Sequence, residues 1–497
     1  MKKILSLVLA LTMLCCTCTA VAEEAPAVEK PRIIITQDAE LDDKNSMIHV
    51  LLYADVIDLA GLIQTSSSLH YAGHDDVAPY RWPGTAWMDD ILDAYEAVYP
   101  NLKVHSDYPT PEYIRSITKV GNITDNGEME LITEGSELIK NAILDDDPRT
   151  LYVAVGGGAN TLGRALKSIE EEYRDTPEWD AIYEKVCNKV VMTSWGSQDV
   201  VYPEYISVVW PTIKNYDVSG VSGPYGYMNG KADVPMLAQK RMQGSWMYEN
   251  LLHNHGPLMD LYITWGDGHY MEGEAEGDQF GTNEKMLGTA NWWGAKYGGA
   301  VYYRYDFCSE GDSPDWMIVI PTGLRNLEDM SWGGWGGRYV AATPTGGRGA
   351  TVQPNPDALF FAQPDGETTM APFLYAIQGD FAARASWCTA ATYAEANHQP
   401  SVTVAEALDQ TAKAGDTVTL TISTSDPDGD EVIVSVWQYA EAGTYAGTVQ
   451  PTYADGVATL VIPEDAQSGD TIHLIVEAND TGAHNLRAYA RVVVTVE

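Results

Sequence analysis

The sequence predicts an α/β domain, a mostly parallel sheet with helices on both faces, followed by a smaller β-sandwich. Three observations carry this. From Pro31 to about Gly346, short runs that are apolar throughout alternate with helical stretches, as in a sheet buried on both sides. After Gln399-Pro400 the pattern changes to alternating or β-branched runs separated by turns. The 497 residues also allow roughly two to four domains with ample core.

Taken in order, the chain opens with a targeting segment. Lys2 and Lys3 form a basic start, Ile4 to Leu14 is an apolar run too short to span a bilayer, and Ala20-Val21-Ala22 is an A-x-A cleavage site. Residues 1–22 therefore read as the signal peptide of an exported protein. Lipid anchoring through Cys15, Cys16 or Cys18 is the weaker reading, because none follows a small residue with a leucine further upstream. No later stretch reaches the roughly 18 consecutive apolar residues of a membrane helix.

Residues 31–345 form the expected α/β domain, with strands at 32–36, 57–65, 151–156, 189–195, 261–265 and 317–321. A helix is expected over 43–54, and amphipathic segments hold Met88, Ile91, Leu92 and Tyr95, then Leu162, Leu166 and Ile169. Residues 346–399, rich at first in Gly, Pro and Thr, read as a connecting segment. Six short strands between 402 and 496 make residues 400–497 an immunoglobulin-like sandwich. The three cysteines beyond the leader, Cys187, Cys308 and Cys388, are widely spaced and odd in number, which favours isolated buried thiols over a structural bridge.

Composition narrows the partners. Thirty Lys+Arg against 70 Asp+Glu give a net charge of −40, which repels phosphates and argues against nucleic acid or an anionic membrane. A cation or a neutral polar ligand such as sugar fits better. Fourteen Trp and 29 Tyr against 6 Phe point the same way, since amphipathic rings pack on sugar C–H faces. Trp82, Trp87, Trp195, Trp265, Trp332 and Trp335 fall near expected strand ends or Gly-rich loops.

The strongest local signal is Thr36-Gln37-Asp38-Ala39-Glu40-Leu41-Asp42-Asp43, where the chain leaves a strand and enters a helix. Carboxylates so close repel one another unless a cation or proton neutralises them. Helix capping accounts for one aspartate well and for three poorly. Ca²⁺ takes six to eight oxygens and Mg²⁺ about six, so a divalent-cation site is the better reading.

This stretch resembles the opening fingerprint of nucleoside hydrolases, a strand followed by D-x-x-x-D-D. The wider pattern is similar to a secreted bacterial family described as cellulose-binding, with a nucleoside-hydrolase-like domain and a small β domain. The features that carry it are Ser66-Ser67-Ser68, Gly156-Gly157-Gly158-Ala159-Asn160-Thr161, Gln198-Asp199, Glu310-Gly311-Asp312-Ser313-Pro314 and Gly333-Gly334-Trp335-Gly336-Gly337-Arg338-Tyr339. The resemblance implies a nucleoside-hydrolase-like, Rossmann-like sheet binding Ca²⁺. It makes Asp38 a ligand and the base that activates a water held by the cation. Asp43 and Asp312 become further ligands, the main-chain carbonyl of Asn160 another, and Asp42 a contact to water or sugar hydroxyls. General chemistry agrees: a divalent ion acidifies water, an aspartate takes the proton, and water attacks an oxocarbenium-like anomeric carbon.

Two departures bear on the substrate. Gly311 stands where the family often has a histidine as leaving-group acid, and Ser68 where an asparagine contacts ribose. His70, His74 and Glu310 are the residues that would take over acid or substrate-contact duty; each also reads as an ordinary surface or supporting residue. Trp265-Gly266-Asp267-Gly268-His269 and the acidic stretch to Thr282 read equally as a lid or an inert loop. Asp426-Pro427-Asp428-Gly429-Asp430 reads as an acidic turn before it reads as a Ca²⁺ loop. The leading expectation is a secreted hydrolase of an N- or O-glycosidic bond acting on a sugar-containing small molecule or polysaccharide. A non-catalytic carbohydrate-binding protein retaining the metal pocket is the alternative, and a structural Ca²⁺ site a third reading.

Overall fold

The computed structural model describes residues 29–223, 225–226, 234–276, 279–288 and 301–497; the expected signal peptide lies outside the described residues. Eight strands make the main sheet: β1 (Arg32–Gln37), β2 (Asp58–Gln64), β3 (Thr118–Val120), β4 (Leu151–Val155), β5 (Val190–Ser194), β6 (Lys214–Asp217), β7 (Val340–Ala341) and β8 (Phe360–Ala362). Their order is β3-β2-β1-β4-β5-β6-β8-β7, and every pair is parallel except β7 with β8. The chain runs outward from β1 to one side and from β4 to the other. The order thus reverses between these two strands, and in open α/β sheets the crevice beyond their carboxyl ends is where ligands bind.

Side-chain alternation along β1 explains the two cores. Ile33 and Ile35 join one cluster with α1 (Leu41–Leu51) and α2 (Ala86–His105), while Ile34 joins another with the later helices α4 (Glu134–Leu144), α5 (Asn160–Tyr173) and α6 (Trp179–Lys189). Between them comes α3 (Pro111–Ile117), capped by the Thr110 hydroxyl and opened by a proline that needs no amide donor. The residues Met88, Ile91, Leu92 and Tyr95 line the buried face of α2, and Leu162, Leu166 and Ile169 that of α5, as their spacing requires.

Two expected strands are corrected. Residues 261–265 and 317–321 are apolar because they are buried in the core, but they are unpaired with the sheet; a turn of helix ends at Leu261 and a short helix, Ser313–Met317, precedes the second. Their places in the sheet go to the polar β6 and to β8. Helix α1 begins at Leu41, two residues ahead of its expected start. The stretch 346–399 contributes β8 and the helix Leu374–Trp387, whose Leu374, Ile377 and Phe381 sit in the main core.

The C-terminal region folds as two four-stranded sheets. One has the order β10-β16-β15-β12 and the other β13-β14-β11-β9. The strands are β9 (Ser401–Val404), β10 (Asp409–Ala412), β11 (Thr417–Ser425), β12 (Val432–Gln438), β13 (Thr452–Ala454), β14 (Val457–Val461), β15 (Thr471–Asp480) and β16 (Arg487–Val496). Val418, Leu420 and Ile422 of one sheet meet Leu474, Val476, Val492 and Val494 of the other in a shared core. Short β10 and β13 are the two strands the sequence pattern does not announce. Arg491 ties the sandwich to the α/β region by donating to the carbonyls of Trp332 (2.7 Å) and Gly333 (2.9 Å). No disulfide joins the three cysteines, of which Cys308 and Cys388 are buried and Cys187 half-buried. Among the described residues no helix is long and apolar enough to cross a membrane.

Candidate metal centre

The acidic motif folds into a self-bracing turn at the end of β1. Asp38 follows the strand, Ala39 takes a left-handed φ of 76°, and α1 begins at Leu41. A non-glycine residue in that conformation needs support. Asp43 supplies it: its carboxylate accepts from the Asp38 amide at 3.1 Å and the Glu40 amide at 3.0 Å. The Gln37 side chain donates to the Asp43 carbonyl at 3.0 Å. One aspartate therefore does cap the helix, and the others are left for a different task.

Opposite this turn, the loop after β4 approaches so closely that side chains are excluded. A Cβ on Gly157 would lie 2.5 Å from Asp38 Cβ, and one on Gly158 2.4 Å from the Ser66 carbonyl oxygen. The helix Ser313–Met317 brings in Asp312, so that Asp42, Asp43 and Asp312 place one oxygen each within 4.8 Å of one another, all buried. A second group, Asp38, Glu40 and His70, meets the same limit beside it.

The electrostatics match that crowding. Burial pushes the Asp43 and Asp312 carboxyls well above their ordinary range, and their acidic neighbours push them further. Glu40 is raised to about 8, again by burial first and then by Asp42. Burial also raises Asp38, but the facing His70 outweighs it and holds Asp38 below the usual value. Burial lowers His70, and Asp38 more than reverses this. Both Asp38 oxygens are buried with no hydrogen-bond partner. These residues fit a divalent cation: an acidic, oxygen-rich cluster with orphaned acceptors is what such an ion would satisfy.

Of the remaining sequence-derived residues, His70 joins the acidic cluster and Glu310 is taken up by other partners. His70 is fully buried, with Nδ1 3.6 Å from Asp38 and Nε2 3.2 Å from both oxygens of Glu274. Ser68 is half-buried; its amide donates to the Gln198 carbonyl at 2.9 Å and its hydroxyl has no partner. Asn160 is the first residue of α5. Its side chain is used internally, accepting from Thr65 (2.6 Å) and donating to Ser66 and Asn122 (2.9 Å each). Glu310 is fully buried, held by His49 (2.6 Å), Ser313 (2.6 Å) and the Tyr262 hydroxyl. His74 is 44% exposed at the side chain and faces Asp125 at 3.9 Å.

Gly311 has a steric explanation: a Cβ there would stand 2.6 Å from Asp42 Oδ2, so the Asp42 carboxylate fills the space a larger residue needs. The flagged tryptophans are mostly core. Trp87, Trp265 and Trp335 are buried, while Trp82, Trp195 and Trp332 are half-buried. Trp265 stacks on Tyr302 at 4.3 Å.

Sequence reasoning overlooked several residues. Glu274 lies in the loop after Trp265, 193 residues from Arg81 and 204 from His70; it accepts from Arg81 at 2.6 Å and holds His70. Arg81 also pairs with Glu40 at 3.7 Å. Asp199, within the quoted Gln198-Asp199 pair, accepts from the Val201 amide at 2.9 Å and is raised to about 7 by burial. Asp315 is buried with both oxygens unpartnered, and its pKa is pushed well up by burial and then by Asp217.

Comparison with known proteins identifies the family and the fold. Residues 32–339 match the family described as cellulose-binding Sde182, nucleoside hydrolase-like domain, and residues 417–496 match the C-terminal domain of cellulose-binding protein Sde0182. A nucleoside hydrolase-related hypothetical protein from Saccharophagus degradans, associated with carbohydrate metabolism, is 26% identical. Its structure superposes with a TM-score of 0.70 over 94% of this chain and 100% of its own. An inosine-guanosine nucleoside hydrolase shares 10% identity over 71% of this chain and 99% of its own, at a TM-score of 0.37. A plant nucleoside hydrolase shares 9% over 72% and 99%, at 0.33. No curated protein matches the chain.

Proposed function

The chain belongs to the Sde182 nucleoside hydrolase-like family, and from that premise we propose an exported hydrolase that cleaves a glycosidic bond in a sugar-containing substrate with the help of a divalent cation. The observation that carries this is Asp38. It sits at the crevice beyond β1 and β4, 1% exposed, with neither carboxylate oxygen hydrogen-bonded. A buried carboxylate left unsatisfied is costly to maintain, and such groups cluster where chemistry is done.

By the family resemblance Asp38, Asp43 and Asp312 would hold the ion; Asp42, Asp43 and Asp312 are the carboxylates that lie within 4.8 Å of one another, and Asp38 belongs to the adjoining group. Bound there, Ca²⁺ would act as a Lewis acid, acidifying water and fixing vicinal hydroxyls. Asp38 takes the proton of the attacking water. Asp43 braces the turn that aims Asp38, and Glu274 holds His70. The ligand class follows from the cellulose-binding description of the family: a plant-wall glycan or a fragment of one.

A second reading keeps the pocket for binding alone. It is favoured by Gly311, which offers no acid to the leaving group, and by the depth at which the carboxylates lie. Product release separates the two. Incubating the Ca²⁺-loaded chain with cello-oligosaccharides and nucleosides is expected to liberate sugar. Asp38→Asn is expected to slow this by about 10²–10⁴-fold, the usual worth of a general base. Sugar binding without any product supports the binding protein instead.

A further inference from the structure

The acidic crevice holds two donor groups, and one cation does not account for both. Asp42, Asp43 and Asp312 form the first; Asp38, Glu40 and His70 form the second. We infer that the second group is a cation site of its own, taking a first-row divalent ion such as Zn²⁺, Mn²⁺ or Co²⁺ on Asp38, Glu40 and His70 Nδ1, so that the crevice is a two-ion centre with Asp38 between the ions.

Four observations support it. His70 Nδ1 and both Asp38 oxygens are buried and lack hydrogen-bond partners, on side chains 0% and 1% exposed. They are aimed at one another: His70 Nδ1 lies 3.6 Å from Asp38 Oδ2 and 3.9 Å from Glu40 Oε2. Those gaps are too long for hydrogen bonds. They suit ligands bound at about 2.0–2.2 Å on different sides of one ion, which stand roughly 3–4 Å apart.

The other face of the imidazole is already fixed. Nε2 lies 3.2 Å from each oxygen of Glu274, and Arg81 anchors that carboxylate at 2.6 Å. A carboxylate holding one ring nitrogen so that the other presents its lone pair is the usual support of a metal-bound histidine. Charge points the same way. Asp38, Glu40, Asp42, Asp43 and Asp312 lie together, and Arg81 is shared between Glu40 and Glu274. One divalent ion leaves that cluster strongly negative; two bring it near balance. Two carboxylates with one imidazole suit a first-row ion better than Ca²⁺, which favours all-oxygen shells.

The inference rests on the reading of Asp43 and Asp312 as a Ca²⁺ site, yet it fails separately. The competing account is a metal-free ion pair in which His70 carries two protons and faces Asp38 as a cation. The test uses the full-length chain stripped of metal, saturated with Ca²⁺ and titrated with Co²⁺, following heat and the visible spectrum. Expected is uptake of Co²⁺ beside bound Ca²⁺, with ligand-field bands that report an imidazole ligand. His70→Gln should weaken Co²⁺ by at least about tenfold and alter the bands while Ca²⁺ uptake persists. Glu40→Gln, at a partly exposed position, should weaken Co²⁺ in a chain whose folding is checked by its circular dichroism. If Ca²⁺-saturated wild type takes up no Co²⁺, or if both variants bind it as tightly as wild type, the second site is refuted and the ion pair stands. If Co²⁺ is bound through His70 but Ca²⁺ is not bound at all, this site is supported and the first pocket is not.

Discussion

At the residue scale, the site is built from short-range instructions that sequence displays and long-range ones that it hides. Asp38, Asp42 and Asp43 are legible because they share one turn, and three aspartates in six residues exceed what helix capping needs. Asp312 is reached through resemblance alone, since nothing local distinguishes it. Glu274 meets His70 and Arg81 only after folding, so no spacing rule points to it. Glu310 shows the opposite failure: a conspicuous acid two residues before Asp312 that pairs instead with His49 and Tyr262. Gly311 supplies a prediction at this scale. Gly311→Ala places a methyl against the Asp42 carboxylate and is expected to cost about 1–3 kcal/mol in stability, with weaker Ca²⁺ binding. Calorimetric Ca²⁺ titration of the folded variant checks it.

Elements were legible where burial and pairing coincide. The strands β1, β2, β4 and β5 are apolar and paired, and their alternation with helices points to a parallel sheet. Residues 261–265 and 317–321 are equally apolar, yet they pack within the core without joining the sheet. β6, with the sequence Lys-Asn-Tyr-Asp, is paired without being apolar. Hydrophobic runs report burial and are silent on hydrogen-bond partners, which explains both errors. The helix Leu374–Trp387 was hidden in a stretch that opens with loop-like composition. Its Arg384 is buried and pairs with Asp55 at 2.6 Å and Asp380 at 2.7 Å, while donating to the Leu52 carbonyl. Removing that guanidinium leaves two buried acids uncompensated. Arg384→Ala is expected to destabilise the chain by about 3–5 kcal/mol by denaturant unfolding, and the double variant with Asp55→Asn to recover part of the loss.

At the scale of the whole molecule, the sandwich and the α/β region share core and charge. Ile475 and Tyr489 of the sandwich belong to the main hydrophobic cluster, and Arg491 spans the boundary. Beside Arg491, His473 is buried and its pKa is drawn down to about 4, by burial first and then by Arg491. Its ordinary value is 6.5, so the unfolded chain binds this proton more readily than the folded one. Its stabilising contribution is therefore complete above pH 6.5 and falls away as the pH drops toward 4. A shift of that size is worth about 3 kcal/mol. His473→Gln, in which no proton is taken up, is expected to flatten the decline of unfolding free energy between pH 6.5 and 4. An unchanged slope would assign the acid sensitivity to other groups.

The central claim is that the crevice beyond β1 and β4 is a cation site that works through Asp38. The most direct measurement is thermal unfolding with and without Ca²⁺ for wild type, Asp38→Asn and Asp312→Asn, with sugar release followed in the same samples. Ca²⁺ at about 100 times its Kd should stabilise wild type by about 2.7 kcal/mol. The account predicts that stabilisation in wild type, its loss in Asp312→Asn, and sugar release slowed by about 10²–10⁴-fold in Asp38→Asn. A wild-type melting temperature that Ca²⁺ leaves unmoved, with sugar release indifferent to chelation, would contradict it.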